Sequence, residues 1–137
     1  MKYKYLIEPD GAHWLATFPD IPEAITGAET LEETIDLAED VLLSSFEFYF
    51  EDKRPVPMPS PVADGDRFVI VPPSVVAKVL LLNTMLEQKV SNVELARRMH
   101  TRPQEVQRII NLGHTTKIDR LEAALSVMGK HLEIRLA

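Results

Sequence analysis

Between Arg54 and Val62 every second residue is proline: Pro55, Pro57, Pro59 and Pro61. Proline has no amide donor, and its ring fixes φ near about −65°, so neither a helix nor a central strand can run through this stretch. An extended loop is the conformation left to it. A second pair, Pro72-Pro73, stops the short apolar run Arg67 to Val71. These breaks divide the chain into two small predicted domains, 1–71 and 72–137.

Charge follows the same division. Residues 1–71 hold 15 Asp and Glu against 5 Lys and Arg, or −10; residues 72–137 hold 10 Lys and Arg against 6 acids, or +4. The overall net charge of −6 hides this asymmetry. One half suits a basic protein partner and the other suits phosphates. There is no cysteine, and hence no disulfide framework, thiol nucleophile or cysteine metal site, which fits a reducing cytoplasm. No run approaches the roughly 20 apolar residues of a membrane span, so no membrane partner is expected.

In the first half, Lys2 to Glu8 and His13 to Phe18 read as two strands of a hairpin turning at Pro9-Asp10-Gly11. Pro19 to Gly27 reads as a punctuated connection. From Thr30 the period becomes helical, with Leu31, Ile35, Ala38, Leu42, Ser45 and Tyr49 on one stripe, and Thr30 with Glu33 forms a capping box. This helix should fail near Asp52, before the prolines. Arg67 to Val71 is a third strand. The predicted order is β-β-α-β, an α+β domain.

The second half reads as all helical until its last few residues. Val75 to Glu87 is apolar on nearly every side and should be buried by several neighbours. Ser91 with Glu94 caps a short helix ending near Met99, and Thr101 with Gln104 caps another running to about Asn111. A further helix opens at Thr116 or Lys117 and stops at Gly129, a favourable C′ residue. His131 to Leu136 alternates as a half-buried strand would, and its mate would be its copy in a second subunit.

Two capped helices a tight turn apart form a helix-turn-helix pattern, with Val93, Leu95, Ala96, Met99, Val106, Ile109 and Ile110 at the crossing. At 100° per residue the buried face of the second helix leaves Gln104, Arg108 and Asn111 pointing away. Arginine matches guanine O6 and N7 with two parallel donors, and glutamine matches adenine N6 and N7. Arg102, Gln104 and Arg108 are therefore the expected base readers in double-stranded DNA. Arg97, Gln107, Asn111 and Lys117 flank them and suit phosphates. The turn position His100 is usually glycine in such motifs and is expected to take positive φ.

Other chemistry finds little support. His13, His100, His114 and His131 share no metal-binding spacing, so no metal is expected. A two-metal nuclease needs carboxylates converging from strands, but only Glu8 closes the first predicted strand and the other two carry none. The acids crowd the helix instead. Phe48 and Phe50 cannot both face the core that Tyr49 faces, which leaves aromatic surface for a partner.

Leu95 to Asn111, followed by Thr116 to Asp119 and Leu125 to Lys130, resembles the Cro/repressor type of helix-turn-helix. Ile21 to Ala24, Gly27 to Glu33, Ser45 to Asp52, Pro57 to Pro61 and Val79 to Asn83 are, together with it, similar to the HicB antitoxins. The resemblance covers essentially the whole chain. It implies a partial ribonuclease-H-like N-terminal domain with no enzymatic activity and no cofactor. It also implies a HicA-like partner, a small mRNA-cleaving ribonuclease toxin, together with operator DNA and assembly as a homodimer or higher homo-oligomer. A toxin that holds RNA must be basic, and Glu32, Glu33, Asp36, Glu39 and Asp40 are the acids expected to face it. The rival reading is a stand-alone transcription regulator whose N-terminal domain senses a ligand or only dimerises.

Overall fold

The computed structural model describes all 137 residues and separates into two compact units, Met1–Glu51 with Val56–Val71, and Asp52–Pro55 with Pro72–Ala137. The first is α+β. Its strands are β1 (Lys2–Asp10), β2 (His13–Phe18), β3 (Ile21–Ala28) and β4 (Arg67–Ile70), with α1 (Leu31–Asp52) between the last two. They form one antiparallel sheet in the order β3-β2-β1-β4.

The strand β3 corrects the predicted order to β-β-β-α-β. Pro22 and Gly27 make this segment look like a connection, yet β3 lies at the sheet edge, where a missing amide donor costs no ladder bond. Gly27 is there for space: a Cβ built on it would lie 2.6 Å from the Trp14 carbonyl oxygen of the neighbouring strand. The edge strand also supplies Ile21 and Ala24 to the core, both fully buried.

Alternation places Tyr3, Tyr5, Ala16 and Phe18 on one sheet face, and α1 covers that face with Ala38, Leu42, Phe46 and Tyr49. Tyr3 meets Phe46 edge-on with ring centroids 5.6 Å apart. The predicted helical stripe is right from Ala38 onward. At the N-terminal end Thr34 is buried, while Leu31 and Ile35 are only half-buried. Thr30 accepts from the Glu33 N–H, the capping contact expected of it. The proline stretch is an extended loop tied to its own unit. Tyr3 donates to the Pro57 carbonyl at 2.6 Å, and the Ser60 amide and hydroxyl donate to Asp20 at 2.8 and 2.6 Å.

The second unit holds α2 (Pro73–Gln88), α3 (Asn92–Arg98), α4 (Pro103–Ile110) and α5 (Ile118–Ser126) around a core that includes Leu81, Met85, Leu95, Val106, Ile109 and Leu121. Pro73 sits at the first turn of α2, where its missing N–H removes nothing. Gly129 has φ 78° and ends the last helical turn, with the Lys130 amide bonding back to Leu125 at 3.0 Å, as its sequence position predicts. No helix of the protein is long and apolar enough to cross a membrane.

Two expectations fail here. His131 to Leu136 has no regular structure: nothing in its own unit offers an open edge, and Ile134 and Leu136 are 84% and 97% exposed. The tail is instead held at one point, where Glu122 accepts from the Leu132 amide at 2.7 Å and lies 2.8 Å from His131 Nδ1. The cap of α4 also lies one residue later than predicted. Pro103 takes the first helical position, which makes Arg102 the N-cap, and it makes no side-chain cap bond because a guanidinium has no acceptor to offer the first amides.

Candidate nucleic-acid interface and acidic groove

The α3–α4 pair is set by its turn. Ser91 caps α3 by accepting from the Glu94 N–H at 3.1 Å. Glu94 does not complete the predicted capping box; its carboxylate turns to Arg97, at 2.6 and 2.9 Å, and to Arg98, at 2.9 Å. These hydrogen bonds, Arg97 first, hold its pKa down to about 2. At the end of α3, His100 takes φ 56° and the Thr101 amide bonds back to Ala96 at 2.9 Å. This is the left-handed position anticipated for it. Met99 to Arg102 make the whole connection between the two helices, and the small, buried Ala96 lets them cross closely.

Burying Val106 and Ile109 fixes the opposite face of α4. Arg102, Gln104, Gln107 and Arg108 are all exposed, and Thr101, Arg102, Gln104, Glu105 and Arg108 line one shallow concavity at the start of the helix. Arg108 stands 3.9 Å from Glu105 and 3.4 Å from His114 Nε2. Arg120, which pattern reading passed over, reaches the same Glu105 at 3.7 Å from α5. No periodicity within α4 could have placed it there.

The flanking residues differ in freedom. Asn111 ends α4 and its Oδ1 accepts from the Gly113 amide at 2.9 Å, so half of its amide is committed to the loop. Lys117 is the N-cap of α5 and is exposed. Arg97 is exposed but paired with Glu94. In the first unit Glu32, Glu33, Asp36, Glu39 and Asp40 all stand exposed on α1. Asp36 and Glu39 edge a surface groove of about 410 Å³ whose other walls are Tyr5, Ile35, Phe68, Val69 and Ile70. Sequence periodicity found these acids but not the groove, because β4 brings its apolar wall from thirty residues away.

The strand acids do not converge. The newly found β3 adds Glu23, but its carboxylate accepts from the Tyr49 hydroxyl at 2.5 Å. No group of three or more His, Asp or Glu side chains is gathered where it would hold a metal. Phe48 is 52% exposed, so aromatic surface does lie open on α1.

Residues 2–80 match the family described as HicB_like antitoxin of bacterial toxin-antitoxin system. Antitoxin HicB 2 of Photorhabdus laumondii is 54% identical over 134 residues, spanning 98% of this chain and 95% of that protein. Antitoxin HicB of Escherichia coli K12 is 46% identical, spanning 92% and 91%. Antitoxin HicB of Pseudomonas fluorescens is 35% identical, spanning 91% and 86%. The family match covers the first unit and the first half of α2, and these relatives continue the likeness through α3 to α5. The family consists of antitoxins, regulators and inhibitors rather than enzymes, and an antitoxin implies a toxin as its partner. The chain belongs to the HicB-like antitoxins of bacterial toxin–antitoxin systems.

Proposed function

We propose that the chain neutralises a HicA-like ribonuclease toxin through its first unit and represses its own operon through the second, acting in the cytoplasm as a homodimer or a higher homo-oligomer. The observation that carries the DNA reading is the shared concavity of Arg102, Gln104 and Arg108, on a helix whose opposite face is buried. On this reading α3 and α4 are a helix-turn-helix, with α4 lying in the major groove. Arg102, Gln104 and Arg108 read base edges, while Arg97, Gln107, Asn111 and Lys117 meet phosphates. Pro103 has no amide and the Glu105 amide bonds to the Arg102 carbonyl, so the Gln104 amide is the donor that the start of α4 adds for one more phosphate. A dimer presents two such helices to half-sites about 10 base pairs apart, or a multiple of that.

For the toxin, the support is the acidic face of α1 and the groove edged by Asp36 and Glu39. Glu32, Glu33, Asp36, Glu39 and Asp40 steer a basic ribonuclease, and the apolar wall of Phe68 and Ile70 gives it surface to bury. A partial ribonuclease-H-like sheet then serves as an inhibitor scaffold. The test is co-expression with the product of the neighbouring reading frame. Relief of growth arrest, lost when the five acids are reversed in sign, supports the reading; arrest that persists with the wild-type chain refutes it.

A further inference from the structure

The core side of α2 carries one charge. Lys78 is 2% exposed, and its ammonium donates to the backbone carbonyls of Asn111 and His114, each at 2.5 Å. Periodicity treats a lysine as a surface residue, and α2 as an apolar helix, so nothing in the pattern singles it out. The last carbonyls of a helix have no intrahelical donor and carry partial negative charge. α4 ends at Asn111 in extended backbone, and the next residue is Leu112 rather than a glycine in the left-handed position. The Asn111 carbonyl also accepts from the His114 amide at 3.1 Å, so the ammonium adds to it, from α2, a second donor and a compensating charge, and it ties down the loop carbonyl of His114 as well. Burial pushes the Lys78 pKa down, and the two carbonyls oppose the loss of its proton.

The segment so held is not locked by dense packing, since a cavity of about 110 Å³ lies among Ser74, Val75, Lys78 and the residues Leu112 to Thr116. It bears His114, whose Nε2 stands 3.4 Å from the Arg108 guanidinium and whose Nδ1 stands 3.4 Å from the Thr116 hydroxyl. We propose that Lys78 is a positioning residue for sequence discrimination. By pinning the backbone at the end of α4 and at His114, it holds the imidazole against Arg108 and fixes the direction in which that guanidinium presents its donors. This rests on the reading of α4 as the DNA-facing helix. A bidentate contact to a base edge demands a fixed fork, whereas a phosphate tolerates displacement. Loss of Lys78 therefore costs specificity before it costs affinity.

The test titrates the full-length protein against a duplex from upstream of its own reading frame and against a scrambled duplex of equal length, over a range of salt. Lys78→Met should lower the ratio of the two affinities about tenfold, with scrambled binding and the salt slope unchanged. His114→Ala should do the same, and neither should add to the loss already caused by Arg108→Ala. An unchanged ratio, an equal loss on both duplexes, or additive losses overturn the proposal. If Lys78→Met does not fold, Lys78→Gln takes its place: a lowered ratio that does not add to the Arg108→Ala loss supports the proposal, and an unchanged ratio or an additive loss overturns it. A wild-type protein that binds the two duplexes alike overturns the DNA reading itself, and the proposal with it.

Discussion

Tyr3 shows how much one buried side chain can hold. Its ring is fully buried against Phe46 and its hydroxyl reaches Pro57 across 54 residues of sequence. Burial pushes the phenol well above its ordinary value of 10.0, and the Asp20 carboxylate adds to the push. The folded chain keeps this proton at a pH where the unfolded chain gives it up. Its stabilising contribution is thus complete below about pH 10 and falls as the pH rises further. Tyr3→Phe should cost about 0.5–1.5 kcal/mol at neutral pH and flatten the alkaline loss, as chemical denaturation at pH 7 and pH 11 will show. His100 is the opposite case, a residue legible at once. Its sequence position asks for positive φ and its φ is 56°. His100→Gly should raise stability by up to about 1 kcal/mol, measured as a higher denaturation midpoint; a lower one would deny any strain at the turn. Arg108→Ala should cost about 1–3 kcal/mol at one base position of the operator, found by scanning base substitutions; equal weakening on every sequence would make it a phosphate contact. Lys78 was illegible because its partners are carbonyls, which no side-chain pattern displays.

Elements were legible where they follow a strong period and obscure where neighbours decide. The helices α1, α3, α4 and α5 announce themselves through spacing or caps and α2 through its nearly unbroken apolar run, and even the left-handed stop at Gly129 is visible. The strand β3 was not, since Pro22 and Gly27 are punctuation marks whose effect depends on whether the segment is central or at an edge. Gly27→Ala should test that explanation. Its new Cβ meets a backbone oxygen at 2.6 Å, so the strands must part, at a cost of about 1–3 kcal/mol in unfolding free energy. The tail fails for the converse reason: alternation from His131 to Leu136 is a fair strand signal, but a ladder needs a second edge, and the single chain has none to offer it. The acidic groove and Arg120 illustrate the same limit, because each is completed by an element distant in sequence.

At the scale of the whole molecule, opposite charge on the two units argues for two partners that can be lost separately. Reversing Glu32, Glu33, Asp36, Glu39 and Asp40 should slow toxin association about tenfold at low salt and abolish most of its salt dependence, while leaving operator affinity within twofold. Stopped-flow mixing and DNA titration on the same preparation will check both. Substitutions on α4 should do the reverse. One earlier feature gives the experimenter a built-in gauge of the second unit. Of the lysines in the chain, Lys78 alone is buried. An amine-reactive reagent applied to the native protein will therefore decorate the other lysines and spare this one. Its acylation becomes a clock for the opening of the helical unit, readable by mass spectrometry without a label having been introduced.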